Sequence, residues 1–329
     1  MKTKLRNRIL IILTAALMLA FGIFALIRYG KSGAKEYNLI LIPKVIDETN
    51  GFWTALIEGA KLGASENSCN ITVSAPEKEI EYEKQIQIIL DSIEKKPDAI
   101  IVAASSFSET TGALQKVLDA GIELILVDSV IDTDLGVPIV ATDNIDGGRQ
   151  LGEYTRQFVK ENSRIGMVGH VKDVSTAIER EAGMREGLGE YADRIDTVVF
   201  CGSSYDVAYE LTCEMVETHP DIDIIMCMNE YSTVGTARAI DDLGLKDKIT
   251  VTGFDNSIEE VQLIEKGVIK ATVIQKPFNM GYLAAEEAIK GLLGGETSMN
   301  VDSGCLLITP ENMYDEESQR LLFPFLGQQ

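Results

Sequence analysis

The chain has 329 residues, 51 of them acidic and 30 basic, for a formal net charge of -21. Single cores stop growing near roughly 250 to 300 residues, so this length suits two lobes with an appendage. The charge argues against any role that depends on neutralising phosphates, which excludes nucleic acid as a partner.

The N-terminus departs from this soluble character. Lys2, Lys4, Arg6 and Arg8 precede the uncharged apolar run Ile9 to Ile27. At about 1.5 Å of rise per residue such a run nearly spans a hydrocarbon core, and it exceeds the roughly 7 to 15 residues of a signal-peptide core. It reads as a retained membrane anchor with the basic cluster in the cytoplasm and the residues after about 35 outside. Cleavage, giving a secreted or periplasmic protein, is the alternative; the body is exported in both. Cys69, Cys201, Cys213, Cys227 and Cys305 are odd in number and widely spaced, without a C-x-x-C. They read as buried thiols rather than a disulfide framework or metal site.

From residue 37 short apolar runs, YNLILIP, ITVSA, DAIIVAA, ELILVDS and PIVATDN, alternate with helical stretches. One helical stretch covers 79–95, where Ile86, Ile89, Leu90 and Ile93 recur on one face. After Asn144 the alternation restarts with RIGMVGH, DTVVFCG, DIIMCMN, KITVTGF and IKATVIQ. Continuous apolar strands between helices predict parallel sheets covered on both faces, and two such sets predict two doubly wound α/β lobes.

Open parallel sheets bind ligands outside the carboxyl ends of their strands. Asp128, Asp143, Asn229, Asp255 and Gln275 stand at those ends. Any one of them could be a helix cap or turn former; together they suggest the walls of one polar cleft. Asp255 lies between a strand and the sequence Ser257-x-x-Glu260, which has the spacing of a capping box. Phe52 and Trp53, the sole tryptophan, follow the first strand. They are either a helix-packing pair or a stacking platform. Flat apolar faces beside carboxylates and amides suit a small polyhydroxylated ligand, which points to a sugar.

The segments NGFW, LVDS, ATDNIDGG, EREAGM, THPDIDIIMCMNE, TGFDNS and VIQKP, in this order over nearly all of the exported part, resemble the type I periplasmic binding proteins, especially the ribose and sugar branch. The resemblance implies ligand contacts from Asn50, Phe52, Trp53, Asp128, Arg180, Tyr205, Asn229, Asp255 and Gln275, with Tyr205 stacking opposite Phe52 and Trp53. It also implies three hinge crossings, at 142–144, 275–277 and 304–310, and closure of the lobes on ligand. Residues 1–36 are then the signal or anchor helix and linker. Residues 37–142 with 276–303 form the N-terminal lobe, and 143–275 with 304–329 the C-terminal lobe. Two departures stand out: Ser129 where the branch carries an arginine, and Ala104 where it carries an asparagine. They imply a ligand that need not be ribose.

The resemblance implies a substrate-binding protein that delivers its ligand to an ABC-type permease, or one that presents its closed form to a membrane sensor kinase. It needs no cofactor. His170 and His219 read as capping or surface residues, and no phosphate loop, H-E-x-x-H or nucleophile elbow is present. A carbohydrate hydrolase is the remaining enzyme reading, since Asp128, Asp143, Glu230 and Asp255 could supply paired carboxylates. Sugar-responsive repressors share the fold, but here an apolar run stands where their DNA-binding helices would be. Residues 314–329 lie beyond the last matching segment, and either pack on the second lobe or contact a partner.

Overall fold

The computed structural model describes residues 36–322 and the isolated Met18. The expected anchor, Ile9 to Ile27, otherwise lies outside the described residues, as does the end of the chain from 323. Among the described residues no helix is long and apolar enough to cross a membrane.

The first sheet contains β1 (Asn38–Ile42), β2 (Asn70–Val73), β3 (Ala99–Val102), β4 (Glu123–Val127), β5 (Ile139–Ala141) and β11 (Asn300–Asp302), in the order β11-β5-β4-β3-β1-β2. All of its pairings are parallel. The second contains β6 (Arg164–Gly169), β7 (Ile195–Phe200), β8 (Ile222–Cys227), β9 (Thr250–Phe254), β10 (Ile269–Gln275) and β12 (Cys305–Ile308), in the order β12-β10-β9-β8-β6-β7. Its edge strand β12 runs antiparallel to β10, an exception to the expected all-parallel sheet. Leu39 to Ile42 and Ile100 to Val102 are buried on both faces, the physical reason these strands read as unbroken apolar runs. Within both sheets the first five strands repeat one order, 2-1-3-4-5, which reverses direction beside the first strand of the lobe. Such a reversal opens a crevice at the strands' carboxyl ends.

The first sheet is covered by α1 (Gly51–Glu66), α2 (Tyr82–Glu94), α3 (Thr111–Asp119) and α9 (Pro277–Leu292). The second is covered by α4 (Asn144–Thr155), α5 (Ser175–Leu188), α6 (Tyr205–Thr218), α7 (Glu230–Asp242) and α8 (Ile258–Glu265). Helix α2 begins three residues later than its apolar period suggests, and Glu79, ahead of it, lines the cleft. Its Ile89 is fully buried with Ile86, Leu90 and Ile93 packed around it. Close approach of paired helices requires glycine. A Cβ on Gly281 of α9 would lie 1.9 Å from Leu56 O of α1, and one on Gly183 of α5 would lie 2.1 Å from Ile145 O of α4.

The chain passes between the sheets at 142–143, at 276 and at 303–304. The third passage is therefore shorter than the expected 304–310, because Cys305 to Ile308 already pair with β10. Passages one and three are tied together: Ser303 N donates to Ala141 O at 2.8 Å, and Thr142 and Ser303 share a hydroxyl bond at 3.2 Å. Helix α10 (Glu316–Leu322) packs on the second lobe, with Leu322 in its core and its carbonyl accepting from Asn256. No disulfide links the five cysteines.

Candidate ligand-binding cleft

Asp255 follows β9 with φ 73°, a left-handed conformation that aspartate adopts more readily than most residues. Its Oδ1 accepts from Gln275 Nε2 at 2.5 Å and its Oδ2 from Glu230 N at 3.1 Å. The helix start that holds this carboxylate is therefore that of α7, not that of its own following helix. Burial raises its pKa, and Arg180, Gln275 and the Glu230 N–H work against that rise. The expected capping box is half formed. Ser257 accepts from Glu260 N at 3.1 Å, but the Glu260 carboxylate turns into the core with neither oxygen hydrogen-bonded among the described residues.

Arg180, which alone would read as a surface charge on a helix, is 2% exposed. Its Nε donates to Asn144 Oδ1 at 2.9 Å and its Nη1 to Met228 O at 2.7 Å, while the guanidinium lies over Phe254 and 3.9 Å from Asp255 Oδ2. Asn229 caps α7 by accepting from Ser232 N.

In the first lobe Asp128 follows β4 with φ 65° and lies 2.7 Å from Lys44 Nζ, both side chains buried. Asn50 caps α1 by accepting from Trp53 N at 3.2 Å. Phe52 and Trp53 meet edge to face at 5.0 Å, and Trp53 Nε1 donates to Glu79 Oε1 at 2.7 Å. They pack against each other and both line the cleft.

Between the two lobes lies a cleft, partly open to solvent, whose wall includes Asn50, Phe52, Trp53, Asp128, Arg180, Asn229, Asp255 and Gln275. Tyr205, the ninth residue implied by resemblance, is not in that wall. Its hydroxyl donates to Glu230 Oε1 at 2.6 Å, and its ring packs 4.7 Å from that of Tyr231, which takes the wall position instead. Asp143 caps α4 through Asp146 N and is likewise outside the wall. Ser129 donates to the backbone carbonyl of Ala104 at 2.9 Å, and neither residue is in the wall.

Lys44, Glu79, His170, Thr176 and Tyr231 complete the wall and were not singled out as site residues from the sequence. His170 is 3% exposed, which corrects its reading as a capping or surface residue. Lys44 and His170 follow β1 and β6, the strands at which each sheet reverses its order, and that position was the available signal. Burial, with Arg180 and Lys44 nearby, holds His170 well below the usual histidine range. Burial raises Glu79 and pushes Glu230 up to about 8.

The lobes are closed on one another. Ser203 donates to Glu79 Oε2 at 2.6 Å, Tyr231 to Asp47 Oδ2 at 2.7 Å, Val130 N to Ser175 Oγ at 2.9 Å and Phe107 N to Asp173 O at 2.7 Å, all from one lobe to the other. Among the described residues no cluster of side chains could hold a metal ion.

Two facing switch points, with carboxylates, amides and aromatic faces converging from both, define a two-lobed binding protein that closes around a small ligand. The chain belongs to the periplasmic binding protein domain family, whose sequence profile matches residues 41–296. It is a binding protein of the sugar branch and not an enzyme. It is 24% identical over 263 residues to the D-ribose/D-allose-binding protein of Pseudomonas aeruginosa, covering 78% of this chain and 82% of that protein. It is 26% identical over 269 residues to the D-apiose import binding protein of Actinobacillus succinogenes, covering 80% and 86%. Among solved structures, a sugar transporter from Clostridium phytofermentans superposes with TM-score 0.79 at 40% identity over 83% of this chain and 99% of its own. A carbohydrate transporter solute-binding protein from Agrobacterium radiobacter, in complex with D-arabinose, superposes with TM-score 0.82 at 21% identity over 88% and 100%, a likeness of fold.

Proposed function

We propose that the protein captures a small neutral sugar in the interlobe cleft, closes on it and delivers it to an ABC-type permease. The observation that carries this reading is the pairing in the cleft wall. Asp128 is matched by Lys44 and Asp255 by Arg180, so these two carboxylates accept from hydroxyls with their own charges already balanced. Phe52, Trp53 and Tyr231 add apolar faces for the C–H surfaces of a ring. The names borne by the relatives, ribose, allose and apiose binders, support the same ligand class. In this reading Asn50, Asn229 and Gln275 fix hydroxyl orientation, and Tyr205 acts from behind the wall through Glu230.

The apolar run Ile9 to Ile27 exports the body and anchors it on the outer face of the cytoplasmic membrane, with cleavage as the alternative. A retained anchor also favours a second reading, in which the closed form is presented to a membrane sensor kinase. Deleting the gene and following both sugar uptake and the transcriptional response separates the two. Loss of uptake alone supports delivery, loss of the response alone supports sensing, and loss of neither contradicts both. Ligand capture itself is tested by thermal denaturation of the full chain in detergent with D-ribose, D-allose, D-apiose and D-arabinose. A sugar at a hundredfold its Kd stabilises by about 2.7 kcal/mol.

A further inference from the structure

Among the described residues His170 Nδ1 and Gln275 Oε1 of the cleft wall have no hydrogen-bond partner; the amide oxygen only accepts, whereas the neighbours of His170 determine what chemistry its ring offers. His170 Nε2 lies 2.8 Å from Thr176 Oγ1. Thr176 Oγ1 also lies 3.5 Å from Lys44 Nζ, across the cleft, and that ammonium sits 2.7 Å from Asp128 Oδ2. An ammonium has donors and no acceptor, so Thr176 accepts from Lys44, which leaves its one hydroxyl proton available to His170 Nε2. With Nε2 accepting that proton, the proton of a neutral ring stands on Nδ1. Nδ1 is buried, and no described residue accepts from it. A buried N–H left unpaired destabilises the closed state unless ligand or water takes the bond.

We infer that His170 is a specificity-determining residue whose Nδ1–H donates to an oxygen of the bound sugar beside the Lys44 ammonium. The sugar must therefore present a carbonyl, ring oxygen or hydroxyl lone pair at this corner, and an analogue deoxygenated there is rejected. The inference rests on the sugar-binding reading above. Because burial and the neighbouring cations keep the ring uncharged, it remains a single-proton donor through neutral pH. Lys44 is already paired with Asp128, so the corner accommodates an uncharged oxygen rather than an anion. The donors that the sugar branch carries at the Ser129 and Ala104 positions are here replaced from the two switch-point strands.

The protonation state is read first, without ligand, by long-range ¹H–¹⁵N spectroscopy of the full chain labelled at histidine. The protein has only two histidines, and a His219→Gln variant assigns the signals. The expected result is a proton on Nδ1 and a bare Nε2, unchanged from about pH 6 to 8. D-ribose, D-allose, D-apiose and D-arabinose are then titrated into the wild type, His170→Asn and His170→Leu by calorimetry. Asparagine retains an N–H near the Nδ1 position and leucine does not. For a sugar bound by the wild type, leucine is expected to weaken binding by about tenfold or more and asparagine to restore most of it. A proton on Nε2, or leucine binding as tightly as the wild type, overturns the inference. If none of the four sugars binds the wild type, the sugar reading fails separately, and the position of the ring proton alone decides the donor assignment.

Discussion

Asp128 and Asp255 are equivalent residues of the two lobes. Each follows the fourth strand of its own repeat, each has a left-handed backbone, with φ 65° and 73°, and each donates its N–H to the next strand, to Val140 O at 2.9 Å and to Val273 O at 2.8 Å. Each also faces a buried cation on another element, Lys44 and Arg180. The cleft is thus two copies of one strand-end device set face to face.

This equivalence predicts that Asp128→Asn and Asp255→Asn remain folded, because asparagine tolerates the same backbone. Both are expected to lose sugar affinity by more than about tenfold, since a charge-assisted acceptor becomes an amide and leaves Lys44 or Arg180 without its partner. Calorimetry paired with urea denaturation separates the two effects. Asp255→Ala is expected to be less stable than Asp255→Asn, with the Glu230 N–H and Gln275 amide left unpaired.

Closure is held by bonds that do not involve the ligand. Tyr231→Phe and Ser203→Ala each remove one cross-cleft hydrogen bond, to Asp47 and Glu79. Each is expected to lower affinity by about threefold to tenfold through the open–closed equilibrium, with stability changed by less than about 1.5 kcal/mol. Small-angle scattering at saturating sugar checks this by showing the same closed dimensions as the wild type, reached at higher sugar concentration.

Stability is expected to fall as pH rises through the neutral range. Glu230 is pushed up to about 8 by burial, and burial also raises Glu79, Glu260 and Asp255. The folded state therefore holds protons that the unfolded chain has released above about pH 4.5, so the stabilisation is complete at acid pH and is lost as pH rises through the folded values. His170 acts oppositely. Its lowered pKa means that the unfolded chain binds a proton first, so its contribution is lost as pH falls below about 6.5. Glu230→Gln is expected to flatten the slope between about pH 5 and 8, by up to about tenfold in the unfolding constant per pH unit. Urea melts across this range measure it.

Gly281→Ala is expected to cost about 1–3 kcal/mol or more, because the added methyl meets the α1 backbone, which cannot step aside as a flexible side chain would. The same substitution at Gly112, which has open space around it, is expected to be neutral or mildly stabilising. Urea denaturation of the two variants side by side checks the contrast.

The residues legible from sequence were those whose role follows from the sheet. Strands buried on both faces are continuous apolar runs, and a carboxylate ending such a run is conspicuous, as at Asp128 and Asp255. Trp53 was visible because tryptophan is so scarce in this chain. Asn50 and Arg180 look ordinary locally and were reached only through resemblance. Lys44, Glu79 and His170 were missed because what distinguishes them is a partner far along the chain: Asp128 for Lys44, Trp53 and Ser203 for Glu79, Lys44 through Thr176 for His170. Tyr205 and Tyr231 pack ring to ring, and the choice of which one reaches the cleft is made by the Glu230 carboxylate, which holds the Tyr205 hydroxyl behind the wall.

The central claim, capture of a neutral sugar between Asp128 and Asp255, is tested most directly by calorimetric titration of the full chain in detergent with D-ribose, D-allose, D-apiose and D-arabinose. The account predicts saturable one-to-one binding of at least one of them, weakened more than about tenfold in both Asp128→Asn and Asp255→Asn. Absence of binding by all four, or binding that neither substitution disturbs, would contradict it.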